Sequence, residues 1–88
     1  MNVEFTRNFE KQLNHIRDKH LTDEIARIVR IVMDAKSLEQ IPNIKKLKGF
    51  KGAYRIRSGN YRIGIVLQNS TVYFMAFAHR KDIYRIFP

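Results

Sequence analysis

Near residue 53 the hydrophobic pattern of this 88-residue chain changes period, from the three-to-four spacing of a helix to the strict alternation of a strand. Tyr54 and Ile56 alternate with Arg55 and Arg57. After a Ser58-Gly59-Asn60 turn, Tyr61, Ile63, Ile65 and Leu67 alternate with Arg62, Gly64 and Val66. Successive side chains on a strand point to opposite faces, so these runs predict a hairpin with one apolar face and one face carrying Arg55, Arg57 and Arg62. Helical periodicity followed by strand periodicity predicts helices packed on the apolar side of a sheet.

The remaining elements fit that frame. Asn2–Thr6 reads as a short strand with Val3 and Phe5 on one face. A first helix is expected from about Arg7 to Lys19, capped by Thr6, with Phe9, Leu13 and Ile16 as its apolar stripe. Thr22 before Asp23 and Glu24 predicts a second helix start, and Ile25, Ile28, Val29, Val32 and Met33 carry an apolar face to about Lys36. Residues 37–52 form a connector interrupted by Pro42, with Ile41, Ile44, Leu47 and Phe50 expected to pin it to the core. Gln68-Asn69-Ser70 turns the chain into a strand over Thr71–Ala78, and a charged turn and short apolar tail close it. The expected fold is α+β: a two-layer β-α-α-β-β-β domain over residues 1–88. Its N-terminal strand and antiparallel helical hairpin lie on one face of a small, mostly antiparallel sheet, and the other face is open or concave.

Seventeen Lys and Arg oppose eight Asp and Glu, a formal charge of +9. The excess is concentrated: between Lys45 and Arg85 ten basic residues face Asp82 alone. Such a one-sided distribution points to an anionic partner, nucleic acid above all. The absence of cysteine excludes disulfides and thiolate metal sites. His15, His20 and His79 lack zinc-site spacing, and the basic half has no carboxylate pair to hold magnesium, so neither metal nor cofactor is expected. No targeting segment and no run long enough to span a membrane is evident, so a soluble cytoplasmic protein is expected.

Like charges facing one another destabilise a sheet, so a cluster of Arg55, Arg57 and Arg62 on rigid strands is best explained by an anion that visits it. Guanidinium forks match phosphate oxygens. Arg80 joins the cluster from the end of the last strand, and Tyr84, four residues on, can stack on a base or hydrogen-bond a phosphate. His79 is the natural proton-transfer candidate, although its strand parity goes with Tyr73, Met75 and Phe77.

The segment Gly52-Ala53-Tyr54-Arg55-Ile56-Arg57-Ser58-Gly59-Asn60-Tyr61-Arg62 and the closing Ala78-His79-Arg80-Lys81-Asp82-Ile83-Tyr84, in this order of elements, resemble the RelE/ParE superfamily of type II toxin–antitoxin toxins. The resemblance covers essentially the whole chain and lies closer to the RelE-like mRNA interferases. It implies a ribosome-dependent endoribonuclease that cuts mRNA by metal-independent attack of the 2′-hydroxyl. Arg55 and Arg57 then stand in the places of two hairpin lysines, the second a proposed general base. Arg62 steadies the scissile phosphate, Arg80 serves the leaving oxygen, and Tyr84 orients the nucleotide. Arginine is a poor base at neutral pH, so His79 is the candidate to move the proton instead. Arg55, Lys48, Lys51, Lys81 and Arg85 are expected to hold RNA. The resemblance also implies a cognate antitoxin, and contact with operator DNA only through the antitoxin complex. ParE-like members share the fold but inhibit DNA gyrase without nuclease activity, and that alternative stays open, as does a relative that merely binds nucleic acid.

Overall fold

The computed structural model describes all 88 residues. Along the chain run β1 (Asn2–Phe5), α1 (Arg7–Asn14), α2 (Lys19–Asp34), a 3-10 turn (Leu38–Gln40), β2 (Ile44–Lys46), β3 (Ala53–Ser58), β4 (Tyr61–Gln68), β5 (Thr71–His79) and α3 (Ile83–Ile86). The strands form one sheet in the order β1-β5-β4-β3-β2. β1 pairs parallel to β5, and every other pair is antiparallel. The expected α+β architecture is present, with a fifth strand added.

Phe9 of α1 and Ile25, Ile28 and Val32 of α2 bury their apolar face on Ile56, Ile63, Ile65, Val72, Phe74 and Phe77 of the sheet. Thr6 caps α1 as its sequence predicts, its hydroxyl accepting the Phe9 amide at 3.2 Å. The break between the helices falls earlier than expected. The His15 amide closes α1 onto Gln12 and Leu13, and Asp18, not Thr22, caps α2 by accepting the His20 amide at 2.9 Å. Thr22 lies within the helix, where its hydroxyl donates to the Lys19 carbonyl.

Side chains of the first helical segment complete the exposed edge of β5 where β1 ends. The Thr6 hydroxyl and the Asn8 amide donate to the Met75 carbonyl at 3.2 and 3.1 Å. Gln12 donates to the Phe77 carbonyl at 2.7 Å and accepts the Phe77 amide at 2.9 Å, so one carboxamide occupies the place of a strand.

Three departures from the sequence reading bear on the site. The connector contains β2, whose Ile44, Lys45 and Lys46 pair with Ile56, Arg55 and Tyr54. Phe50, expected to pin the connector, is 53% exposed. The sheet face away from α1 and α2 is partly covered, because α3 and the tail bring Ile83 and Phe87 onto Ala53 and Val66 in a second small apolar cluster. Phe87 reaches the sheet because Gly64 lies beneath its ring: a Cβ there would sit 2.4 Å from the ring edge.

Candidate nucleic-acid interface

Alternation places Arg55 and Arg57 of β3 and Arg62 of β4 on the face away from the helices, as the sequence predicts. Arg57 and Arg62 are direct cross-strand partners, and Arg55 lies between Lys45 on β2 and Gly64 on β4. Lys45 therefore joins the face. Only the pairing of β2 assigns it there, and a three-residue strand behind Pro42 carries too little alternation to be recognised in sequence.

Asn43, in a left-handed conformation (φ 63°), precedes β2 and orders two of the arginines. Its carbonyl accepts the Arg57 amide at 3.0 Å and Arg55 Nη1 at 3.1 Å, and its Oδ1 faces Arg57 Nη2 at 3.4 Å. Arg62 Nη1 donates to the carbonyls of Gly59 and Tyr61, both at 2.9 Å. The Arg55 Nε–H is buried without a partner. None of these guanidinium groups meets a carboxylate.

Burial holds the Arg62 guanidinium below its ordinary pKa, and the positive charges of Arg55, Arg57 and Arg80 act in the same direction, while Tyr84 opposes them. Five of the expected site residues thus act on one locus. Arg80 is brought there by its amide, which donates to the Asn60 carbonyl at 2.7 Å and ties the end of β5 to the β3–β4 turn. Tyr84, 57% exposed, projects from α3. An unbalanced cation cluster of this kind gains most from a polyanion that enters it.

His79 does not share this face. A β-bulge displaces the register of β5: Gly64 pairs with Ala76 and Ile65 with Phe74, leaving Met75 as the extra residue. The bulge puts Tyr73 and Met75 on the arginine side and Phe77 and His79 on the helix side. There the His79 ring meets Tyr61 edge-on at 5.8 Å, and its Nδ1 accepts the Lys81 amide at 3.2 Å. Simple alternation across Tyr73–His79 misses this inversion.

Of the residues expected to hold RNA, Arg55 lies in the cluster and Lys81 is exposed beside Arg80. Arg85 is bound to Asp82 at 2.9 Å, so the only acid in the basic half is occupied at the rim. Lys48 and Lys51 are exposed on the β2–β3 loop. No helix is long and apolar enough to cross a membrane.

A five-stranded sheet with a helical pair on one face and an arginine cluster on the other defines a toxin of the RelE/ParE superfamily, RelE-like in character. Residues 3–84 match the family described as ParE toxin of type II toxin-antitoxin system, parDE, and the chain belongs to it. It is 42% identical over 89 residues to Toxin RelE3 of Methanocaldococcus jannaschii, with the full length of both chains covered. Its structure resembles that in the RelB-RelE antitoxin-toxin complex of Methanococcus jannaschii, with a TM-score of 0.79, 40% identity, and 97% and 99% of the two chains covered. The archaeal RelE-RelB complex of Pyrococcus horikoshii OT3 shares the fold at a TM-score of 0.73 and 18% identity, over 90% and 93% of the chains.

Proposed function

We propose that this toxin is a ribosome-dependent endoribonuclease that cleaves mRNA. The observation that carries the reading is the convergence of Arg55, Arg57, Arg62, Arg80 and Tyr84 on one face without a neutralising carboxylate. In the reaction the RNA 2′-oxygen bonds to phosphorus, the bond from phosphorus to the 5′-oxygen breaks, and a 2′,3′-cyclic phosphate and a 5′-hydroxyl form. Arg57 and Arg62 stabilise the charge on the pentacoordinate phosphate, Arg80 stabilises the departing 5′-oxygen, and Tyr84 orients a base. Electrostatic stabilisation of this kind is commonly the largest single contribution to a rate. Arg55, Lys45, Lys48, Lys51, Lys81 and Arg85 hold the RNA backbone around it. The 2′-hydroxyl proton leaves to water and the departing 5′-oxygen takes one from water, because the arginines beside the phosphate stay protonated and His79 lies on the far side of the sheet.

The relatives crystallised with RelB support a cognate antitoxin for this chain, which would cover the basic face with acidic and apolar groups. Operator DNA would be met only through that complex. The test is induced expression of the wild type and of an Arg62→Ala/Arg80→Ala variant, with primer extension on a translated mRNA. Cleavage within the reading frame by the wild type alone supports the proposal. The parDE family match favours a second reading, inhibition of DNA gyrase by binding. Growth arrest with altered supercoiling and intact mRNA would establish that reading instead.

A further inference from the structure

The arginine-bearing face does not end at the arginines. At its other end a hollow of about 900 Å³ is lined by Phe50, Lys51, Val66, Gln68, Tyr73 and Met75. We propose that this hollow is a second subsite for the same single strand of RNA, in which an unpaired base stacks on Phe50. The inference rests on the reading of the arginine end as an RNA site, and deepens it by extending the substrate contact beyond the cleaved phosphate.

Phe50 is an exposed aromatic ring on a loop that is held firmly. The Leu47 amide donates to the Ala53 carbonyl at 2.9 Å and the Ala53 amide to the Phe50 carbonyl at 3.2 Å. The Leu67 amide donates to the Gly52 carbonyl at 2.8 Å, which fastens the loop to β4. At Gly52 the loop runs so close to β4 that a Cβ would lie 2.6 Å from the Leu67 carbonyl oxygen, and its φ is +83°. A large ring is thus presented to water by a backbone with little freedom to withdraw it. Preorganisation of this kind lowers the entropy cost of binding.

The chemistry of the rim favours nucleic acid over polypeptide. Lys51 lines the hollow, Lys48 lies in the same loop, and no acid is among the lining residues. The Gln68 carboxamide offers both a donor and an acceptor to a base edge. Val66 lies four residues along β4 from Arg62 on the same face, about 13 Å at the strand rise of roughly 3.3 Å per residue. The Phe87 ring over Gly64 lies between the two ends. A single strand can therefore leave its scissile phosphate among the arginines and reach the hollow with a base further along the strand, past the reach of a trinucleotide.

The test uses the intact chain and fluorescently labelled RNA, 2′-O-methylated so that it cannot be cleaved, as a trinucleotide and as an octanucleotide. Phe50→Ala is expected to weaken octanucleotide binding by about 5- to 160-fold, the range for loss of one base–aromatic stack. It should leave the trinucleotide unaffected, and Phe50→Trp should restore wild-type affinity. Unchanged octanucleotide binding by Phe50→Ala, or equal losses on both lengths, overturns the subsite. Arg57→Ala separates the two ideas. If it weakens both RNAs while Phe50→Ala weakens neither, the subsite alone fails. If Arg57→Ala changes nothing, the RNA reading fails and the subsite with it.

Discussion

Arg57 and Arg62 stand directly opposite each other on the open face of the β3–β4 hairpin, and neither guanidinium pairs with a carboxylate. Facing like charges cost a sheet a fraction of a kilocalorie to about 1 kcal/mol. Arg57→Gln is therefore expected to raise stability by about 0.2–1 kcal/mol at low ionic strength while reducing RNA cleavage. Urea unfolding at low and high salt reads the gain, which should shrink as salt screens the pair.

The position of His79 makes a separate statement. Loss of a true general acid or base costs roughly 10²–10⁴ in rate. Since its ring lies with Tyr61 on the helix side, His79→Ala should retain cleavage within a few-fold of the wild type. A loss in the general-acid range in a primer-extension time course would return the proton to this residue.

Glu24 links α2 to the arginine hairpin. It binds Arg27 through two hydrogen bonds of 2.7 and 2.9 Å and accepts the Ser58 hydroxyl at 2.8 Å. Arg27 first and Ser58 second lower the carboxyl pKa from 4.5 to about 2. A depressed carboxylate pKa gives stability that is fully present above 4.5 and lost as pH falls toward 2. The carboxylate is about one-third exposed, with a side-chain accessibility of 35%, so solvent screening keeps its contribution near 0.5–1 kcal/mol. Glu24→Gln should cost that amount at pH 7, and the difference from wild type should vanish in unfolding curves taken near pH 2.

Gln12 fills the place of a strand beside Phe77, so its removal leaves a backbone donor and an acceptor without their partner. Gln12→Ala is expected to destabilise the fold by about 1–3 kcal/mol. Hydrogen exchange should locate the damage, with the Phe77 amide losing protection before those in the centre of β4.

Gly64 sets the height at which the tail lies on the sheet. Gly64→Ala would drive its methyl group into the Phe87 ring and lift α3, moving Tyr84 with it. Overpacking of this kind typically costs about 1–3 kcal/mol. The expected signature is faster proteolysis of the C-terminal tail together with weaker RNA binding.

The arginine face was legible in the sequence because β3 and β4 alternate without interruption from Tyr54 to Leu67, on either side of a recognisable turn. The Thr6 cap was legible for a similar reason, since its hydroxyl acts within three residues. What escaped depends on distant partners. β2 becomes a strand only through β3, Asn43 reaches arginines twelve and fourteen residues away, and the bulge exists only as a mismatch between β4 and β5. Asp18 outcompeted Thr22 as a cap, a choice the acids after Thr22 disguised. Phe50 looked like a core residue because its apolarity was read without its loop.

The extra residue at Met75 also fixes which genetic changes β5 can absorb. Val72 and Phe74 before it, and Phe77 after it, all point into the main core because two residues, Met75 and Ala76, separate Phe74 from Phe77 where Gly64 alone separates their partners on β4. Exchange of Met75 for another side chain keeps that count. Loss of the Met75 codon would remove only the unpaired residue, leaving Phe74 opposite Ile65 and Ala76 opposite Gly64 in plain alternation, so Val72, Phe74 and Phe77 would stay inward. The bulge is therefore a place in β5 where an in-frame deletion leaves the core pattern intact, and a cell escaping the toxin would gain little from that step.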